Sequence, residues 1–227
     1  MLNLAIIPAR SGSKRIPKKN VKFFCGDPII SYPINAAKES GIFDKIIVST
    51  DSEEIAKISE NHGAEVPFLR PEELSDDHIA TVPVINHAID VLEADGYSFQ
   101  NICCIYPCSP LLLAEDLKNS FDLMLEKNSD ACIPVCEFIS APQRGFKLDT
   151  SKHLQWLHPE YKLTRTQDLE KAYHDIGSFY WATKEKWQKG DLDYARAFII
   201  PNWRVADIDN EEDWKRAEMI YKLLNLN

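Results

Sequence analysis

The sequence has no uninterrupted apolar run of the roughly 20 residues that a helix needs to cross a bilayer, so membrane embedding is not expected. Its start, Met1 to Pro8, has neither the basic stretch nor the long apolar stretch of a secretory leader, and the protein is expected to remain cytoplasmic. Glycine is scarce, with eight in 227 residues, and neither GxxxxGK[ST] nor GxGxxG occurs, which excludes the two common phosphate-binding fingerprints. Cysteine is present, but the six residues form no CxxC pair and match no histidine spacing of a zinc site. Four of them lie in apolar stretches, so they read as small buried hydrophobes rather than disulfides or ligands. An excess of basic charge is also lacking: the net charge of −9 argues against a protein that coats nucleic acid, because phosphate contacts need a basic face.

What is present is an apolar content of 44%, enough to bury a full core, and the chain reads as one domain over 1–227. Leu2 to Pro8 is almost continuously apolar, as a strand covered on both faces should be. Helical periods follow at Ile29–Ser40, Glu53–Asn61, Thr81–Glu93 and Glu115–Lys127. Strand signals at Lys45–Ser49, Glu65–Leu69, Asn101–Tyr106 and Asp130–Val135 alternate with them. That recurrence is the signature of βαβ units and predicts an α/β fold with a doubly wound, mostly parallel sheet. From 137 to 170 the pattern breaks into Pro, Gly, Lys and Asp with scattered aromatics, which predicts an inserted arm suited to packing on a second subunit. Strands are expected again at Ile176–Thr183, Ala197–Ile200 and Arg204–Ile208, and a closing helix at Glu211–Leu224.

Directly after the first strand runs Pro8-Ala9-Arg10-Ser11-Gly12-Ser13-Lys14-Arg15-Ile16-Pro17-Lys18-Lys19-Asn20. An α/β sheet places its ligand crevice there, at the carboxyl end of a strand. Residues 1–26 carry Arg10, Lys14, Arg15, Lys18, Lys19 and Lys22 and no acid, a positive well in an acidic protein that calls for an anionic ligand. Gly12 and Ser13 let backbone N–H groups converge, Arg10 offers a planar fork, and Lys14 and Lys19 offer point charges to a polyphosphate.

This loop resembles the amino-terminal signature of the cytidylyltransferases of sialic-acid-like sugars. The likeness continues through Ser49-Thr50-Asp51, Phe68-Leu69-Arg70-Pro71, Tyr106-Pro107-Cys108-Ser109-Pro110, the segment Tyr173 to Trp181, and Val205-Ala206-Asp207-Ile208-Asp209. Phe24-Cys25-Gly26, Cys103 to Tyr106, Thr164 to Asp168 and the Tyr173 segment are most similar to the pseudaminic acid branch. The resemblance implies a Rossmann-like domain with a homodimerisation arm. It also implies a reaction of CTP with the anomeric hydroxyl of an acidic nine-carbon sugar, releasing pyrophosphate. By the same likeness Arg10, Ser11, Gly12, Ser13, Lys14, Lys19 and Asn20 would hold the nucleotide phosphates. Arg70 and Ser109 would belong to the nucleotide site, and Asp207 and Asp209 would hold Mg2+.

Two residues apart on an extended segment, Asp207 and Asp209 would project to one face, as a metal-bound triphosphate requires. The competing reading makes Asp209 a helix N-cap with Glu212 as its capping-box partner. An acceptor carboxylate calls for an arginine fork, for which Arg144 and Arg165 are candidates. Tyr173, His174 and Asp175 are expected near the sugar, Asp175 as a candidate proton acceptor and His174 equally as a packed member of an aromatic cluster. Position 106–110 stands between the neuraminic-type Gln-Pro-Thr-Ser-Pro and the pseudaminic-type Tyr-Ala-Thr-Ala-Pro. Neuraminic, legionaminic and 3-deoxy-octulosonic acids therefore remain alternative acceptors, beside a non-catalytic CTP-binding module.

Overall fold

In the computed structural model, which describes residues 2–76, 79–126 and 128–225, the opening apolar run forms β1 (Asn3–Pro8). Its side chains alternate between two cores: Ala5 and Ile7 join one cluster, Leu4 and Ile6 the other. A strand buried on both faces needs apolar residues at every position, which is why the run is continuous. After it come a short hairpin, β2 (Phe23–Phe24) and β3 (Asp27–Pro28), and then α1 (Ser31–Ser40), which stops at Gly41 in the left-handed region. Next are β4 (Lys45–Ser49) and α2 (Glu53–Asn61), whose first turn is capped by the Ser52 hydroxyl accepting from the Ile55 N–H. The middle of the chain supplies α3 (Thr81–Ala94), β5 (Asn101–Ile105), α4 (Ala114–Glu126) and β6 (Ala131–Glu137). The expected helix end at Lys127 lies outside the described residues. Helices α1, α2 and α4 contribute to the first cluster and α3 to the second, so the sheet is covered on both faces. No helix among the described residues is long and apolar enough to cross a membrane.

The stretch expected as an arm carries β7 (Phe146–Leu148) and β8 (Leu154–Trp156), an antiparallel hairpin outside the main sheet. Leu148, Leu154 and Leu163 on it are 64%, 66% and 93% exposed, so this region packs little against its own domain. The chain then forms β9 (Tyr173–Asp175), β10 (Phe179–Thr183), α5 (Lys184–Lys189), β11 (Arg196–Ile199) and α6 (Glu211–Leu224).

The main sheet has seven strands in the order β11-β6-β10-β5-β1-β4, with β9 also on β6. Strands β1, β4, β5, β6 and β11 run in one direction, while β10 and β9 oppose them, so the sheet is mixed with a parallel majority. Both β9 and β10 occupy the edge of β6 that β11 leaves free. Between them residues 176–178 bulge out of the ladder, and Gly177 takes φ 61, an angle costly for any residue with a Cβ.

Two expected strands are absent. Glu65–Leu69 makes only isolated bridges to Ile47 and Thr50, and residues 205–208 pair with no strand: Ile208 packs in a cluster apart from the sheet and its carbonyl accepts from Lys19. A third cluster binds the front of the molecule together: Ile16 of the basic loop, Phe24 and Ile29 pack with Ile208, Trp214 and Ala217. The basic loop and the acidic segment are thus fixed against one another through buried isoleucines.

Candidate active site

At the carboxyl ends of β1 and β5 opens a cavity of about 490 Å3. Arg10, Gly12, Ser13, Lys14, Lys19 and Asn20 of the basic loop line it, and Arg70, Asp207 and Asp209 meet them from other segments. Three cations of this region pair with acids far away in sequence, Arg15 doing so within the cavity wall. Lys18 pairs with Glu54 at 2.7 Å, Lys22 with Glu211 at 2.7 Å and Arg15 with Asp209 at 2.8 Å. The positive charge is therefore relieved partly at the flanks, by Glu54 and Glu211, and partly inside the cavity, where Asp209 takes Arg15 and where Arg10, Lys14 and Lys19 also stand.

Several contacts fix the loop. The Asn20 amide donates to the Arg10 carbonyl at 2.8 Å and accepts from the Cys108 thiol at 3.2 Å, closing the loop on the end of β5. Ser11 is turned out of the cavity wall: its N–H and hydroxyl both donate to Asp51, at 2.7 and 2.6 Å. Its φ lies outside the left-handed region, so serine is tolerated where the resembled signature often has glycine. The left-handed residue of the loop is instead Lys18, at φ 51. Gly12 needs no special angle, and a Cβ built on it would meet nothing within 4 Å; what its missing side chain leaves is room in the cavity.

Arg70 is 6% exposed and donates from Nε to the Ser49 hydroxyl at 3.0 Å and from its terminal nitrogen to the Ser49 carbonyl. It forms no salt bridge with a carboxylate among the described residues. Burial pushes its pKa down to about 10, with Asp51 acting the other way and Arg10 adding to the fall. A buried guanidinium facing a cavity without a directly paired anion is a receptor for one.

In the same cavity, burial pushes the Asp207 carboxyl above its usual range, Asp209 raises it further and Lys19 opposes the shift. Lys19 donates to the Ile208 carbonyl at 2.7 Å, tying loop and acidic segment directly. The cap reading for Asp209 is corrected: Asn210 is the N-cap of α6 and Asp213 the reciprocal partner, while Asp209 faces the cavity. Among the described residues no cluster of three His, Cys, Asp or Glu side chains forms a complete metal site. Asp207 and Asp209 are two neighbouring carboxylates beside the cationic loop, a donor set that fits a divalent ion only where other oxygens complete its shell.

The remaining expected residues lie off this wall. Ser109 is buried next to it and donates to the Ser178 carbonyl at 3.3 Å. Arg144 and Arg165 stand on the arm, where Arg144 donates to the Thr164 carbonyl at 2.8 Å and lies over the Trp156 ring. Tyr173 is exposed. The His174 ring contacts Cys136 Sγ at 2.9 Å and packs on Phe138, in keeping with the packed reading. Asp175 accepts from the Gly177 N–H at 2.8 Å and from the Tyr180 hydroxyl at 2.5 Å, so both its oxygens are engaged in holding the bulge whose Gly177 reaches the cavity.

Sequence reasoning gave no role to Arg15 beyond its charge, nor to Thr81 and Val84 in the first turn of α3, which complete the wall with Tyr106. The Thr81 and Tyr106 hydroxyls are 2.9 Å apart, and α3 begins without a side-chain cap or an acid in its first turn, leaving a positive helix end at the cavity rim. The missing cap residue before Thr81 was the signal available in the sequence.

The family described as cytidylyltransferase matches residues 4–201. A pseudaminic acid cytidylyltransferase of Campylobacter jejuni subsp. jejuni serotype O:2 is 38% identical over 226 residues, covering 98% of this chain and 97% of the relative. A CMP-N,N'-diacetyllegionaminic acid synthase of Legionella pneumophila is 32% identical over 238 residues, covering 99% of this chain and 97% of the relative. Among solved structures, a CMP:2-keto-3-deoxy-manno-octonic acid synthetase complexed with CTP superposes with a TM-score of 0.73 at 14% identity, covering 99% of this chain and all of that one.

Proposed function

This chain belongs to the cytidylyltransferase family, and from that premise we propose that it transfers the cytidylyl group of CTP to the anomeric hydroxyl of a nonulosonic acid, pseudaminic acid first among the candidates. The observation that carries this reading is the meeting of Arg10, Lys14, Lys19 and buried Arg70 with the Asp207–Asp209 pair across one cavity. The cations hold the triphosphate, with Gly12, Ser13 and Asn20 shaping the cradle and Ser11 and Ser109 supporting it from behind. Asp207 and Asp209 would hold Mg2+, which when bound would supply neutralisation of phosphate charge.

The anomeric oxygen forms a bond to the α-phosphorus, the bond from that phosphorus to the bridging oxygen breaks, and pyrophosphate leaves with the electron pair. Lys14, Lys19 and Arg10 stabilise the charge that develops on the departing oxygens. No histidine lines the cavity among the described residues, and each Asp175 oxygen already accepts one hydrogen bond, so the hydroxyl proton passes to solvent or to a carboxylate of the cavity. The domain works in the cytoplasm as a homodimer built through the arm at 137–170. Arg144, Arg165, Tyr173 and His174 would meet the acceptor only where such an assembly brings an arm over a cavity.

Incubation with CTP, Mg2+ and, separately, pseudaminic, legionaminic and N-acetylneuraminic acids tests the reading. It predicts pyrophosphate release fastest with pseudaminic acid and none in the presence of chelator. Folded protein that binds CTP but releases pyrophosphate with no acceptor would contradict it.

A further inference from the structure

The segment that carries Asp207 and Asp209 has no sheet partner, yet its carboxylates must hold a fixed place. Its far end is anchored by Ile208 in the third cluster and by the cap of α6. At its near end Arg204 forks onto Asp116, Nη1 to Oδ2 at 2.6 Å and Nη2 to Oδ1 at 2.7 Å. The side chains are only 11% and 7% exposed, and they join positions 88 apart in sequence. Asp116 is itself fixed, since it stands in the first turn of α4 and accepts from the Leu113 N–H at 3.1 Å.

The pair stands directly behind the acidic segment. Arg204, Asp116 and Asp207 all border one small void of about 30 Å3, and the Ser178 hydroxyl is buried without a hydrogen-bond partner in the same region. Asp207 is therefore not wedged in place by close packing from behind, and beyond the tie of Lys19 to the Ile208 carbonyl its position depends on how the two ends of the segment are held. A buried ion pair contributes little net stability over an apolar pair of similar volume, but its fork geometry fixes register.

We propose that the Arg204–Asp116 pair is a positioning device for the reaction: it sets the place of the Asp207–Asp209 carboxylates and so the affinity for the divalent ion that accompanies CTP. The inference rests on the reading of that pair as the Mg2+ ligands. Neither Arg204 nor Asp116 touches substrate.

The test is CTP binding by calorimetry, with Mg2+ and with chelator, on the parent chain, on Asp207→Asn and on the double variant Arg204→Met with Asp116→Leu. In the parent, Mg2+ tightens CTP binding, and in Asp207→Asn it does not. In the double variant the tightening falls about 10-fold or more, as is typical when a residue supporting metal ligands is removed, while affinity in chelator is unchanged. The single variant Arg204→Lys, which keeps the charge and reaches one oxygen, falls between the two and serves if the double variant does not fold. Absence of tightening in the parent would overturn the metal reading itself. Tightening that needs Asp207 but survives in the double variant, or in Arg204→Lys should the double variant not fold, would overturn the positioning role alone.

Discussion

Lys19 shows how much of the site hangs on single side chains: it reaches the carbonyl between the two aspartates and also lines the cavity. Gly12 acts by what it lacks. Because its φ is ordinary and a Cβ there meets no atom, Gly12→Ala should fold with unchanged or slightly raised melting temperature, yet bind CTP more weakly because the added methyl occupies cavity room. Thermal unfolding and calorimetry on the one variant check both halves. The thiols give a second prediction at this scale. Burial raises all six, Cys108 to about 12 and Cys132 to about 11, so the reactive thiolate is scarce at pH 8 in the native state. Alkylation counted by mass should be slow at pH 8, accelerate as the pH rises, and reach all six cysteines promptly once the chain is unfolded in urea. The basic loop was legible at this scale because its cations are consecutive in the chain. The contacts from Ser11 to Asp51 and from Arg204 to Asp116 were not, because spacing says nothing about partners 40 and 88 positions away.

Elements with a strong pattern were read closely: β1, α1, α2 and α6 fall within about two residues of where the continuous apolar run and the helical periods put them, although the cap of α6 is Asn210 and not Asp209. Direction was the illegible property. The segment Phe179–Thr183 reads as a strand either way round, and only its insertion between β5 and β6 makes it antiparallel. Residues 205–208 have strand-like composition, but Ile208 is drawn into the third cluster and its carbonyl is taken by Lys19, contacts that composition does not reveal. Helix α6 starts at Asn210, so Asn210→Ala should destabilise the fold by about 1 kcal/mol in urea titration, the usual weight of an N-cap. Asp209→Ala should spare the cap and act on the reaction. On the arm, β7 and β8 present Leu148 and Leu154 to solvent. If they face a second copy, Leu148→Glu with Leu154→Glu should convert a dimer into a folded monomer in sedimentation velocity. A parent chain that sediments as a monomer would remove the arm's assigned role.

Over the whole molecule, a chain of net charge −9 places Arg10, Lys14, Arg15, Lys19 and Arg70 around one cavity at the carboxyl ends of two central strands. Acidic surface elsewhere and a positive well here favour small anions at that place, whereas a uniformly basic protein would attract any polyanion. The molecule fits two anionic reactants whose mutual repulsion must be cancelled where they meet, in a cavity where Lys19 and Arg15 stand against the acid pair and Arg10, Lys14 and Arg70 complete the cation set. The most direct measurement follows label from CTP carrying 32P at the α-phosphate, mixed with pseudaminic acid and Mg2+. The account predicts that the label appears in the sugar product, mole for mole with unlabelled pyrophosphate, and that Asp207→Asn or chelator stops both. Label remaining in CTP or appearing as free CMP, or release of inorganic phosphate in place of pyrophosphate, would contradict it.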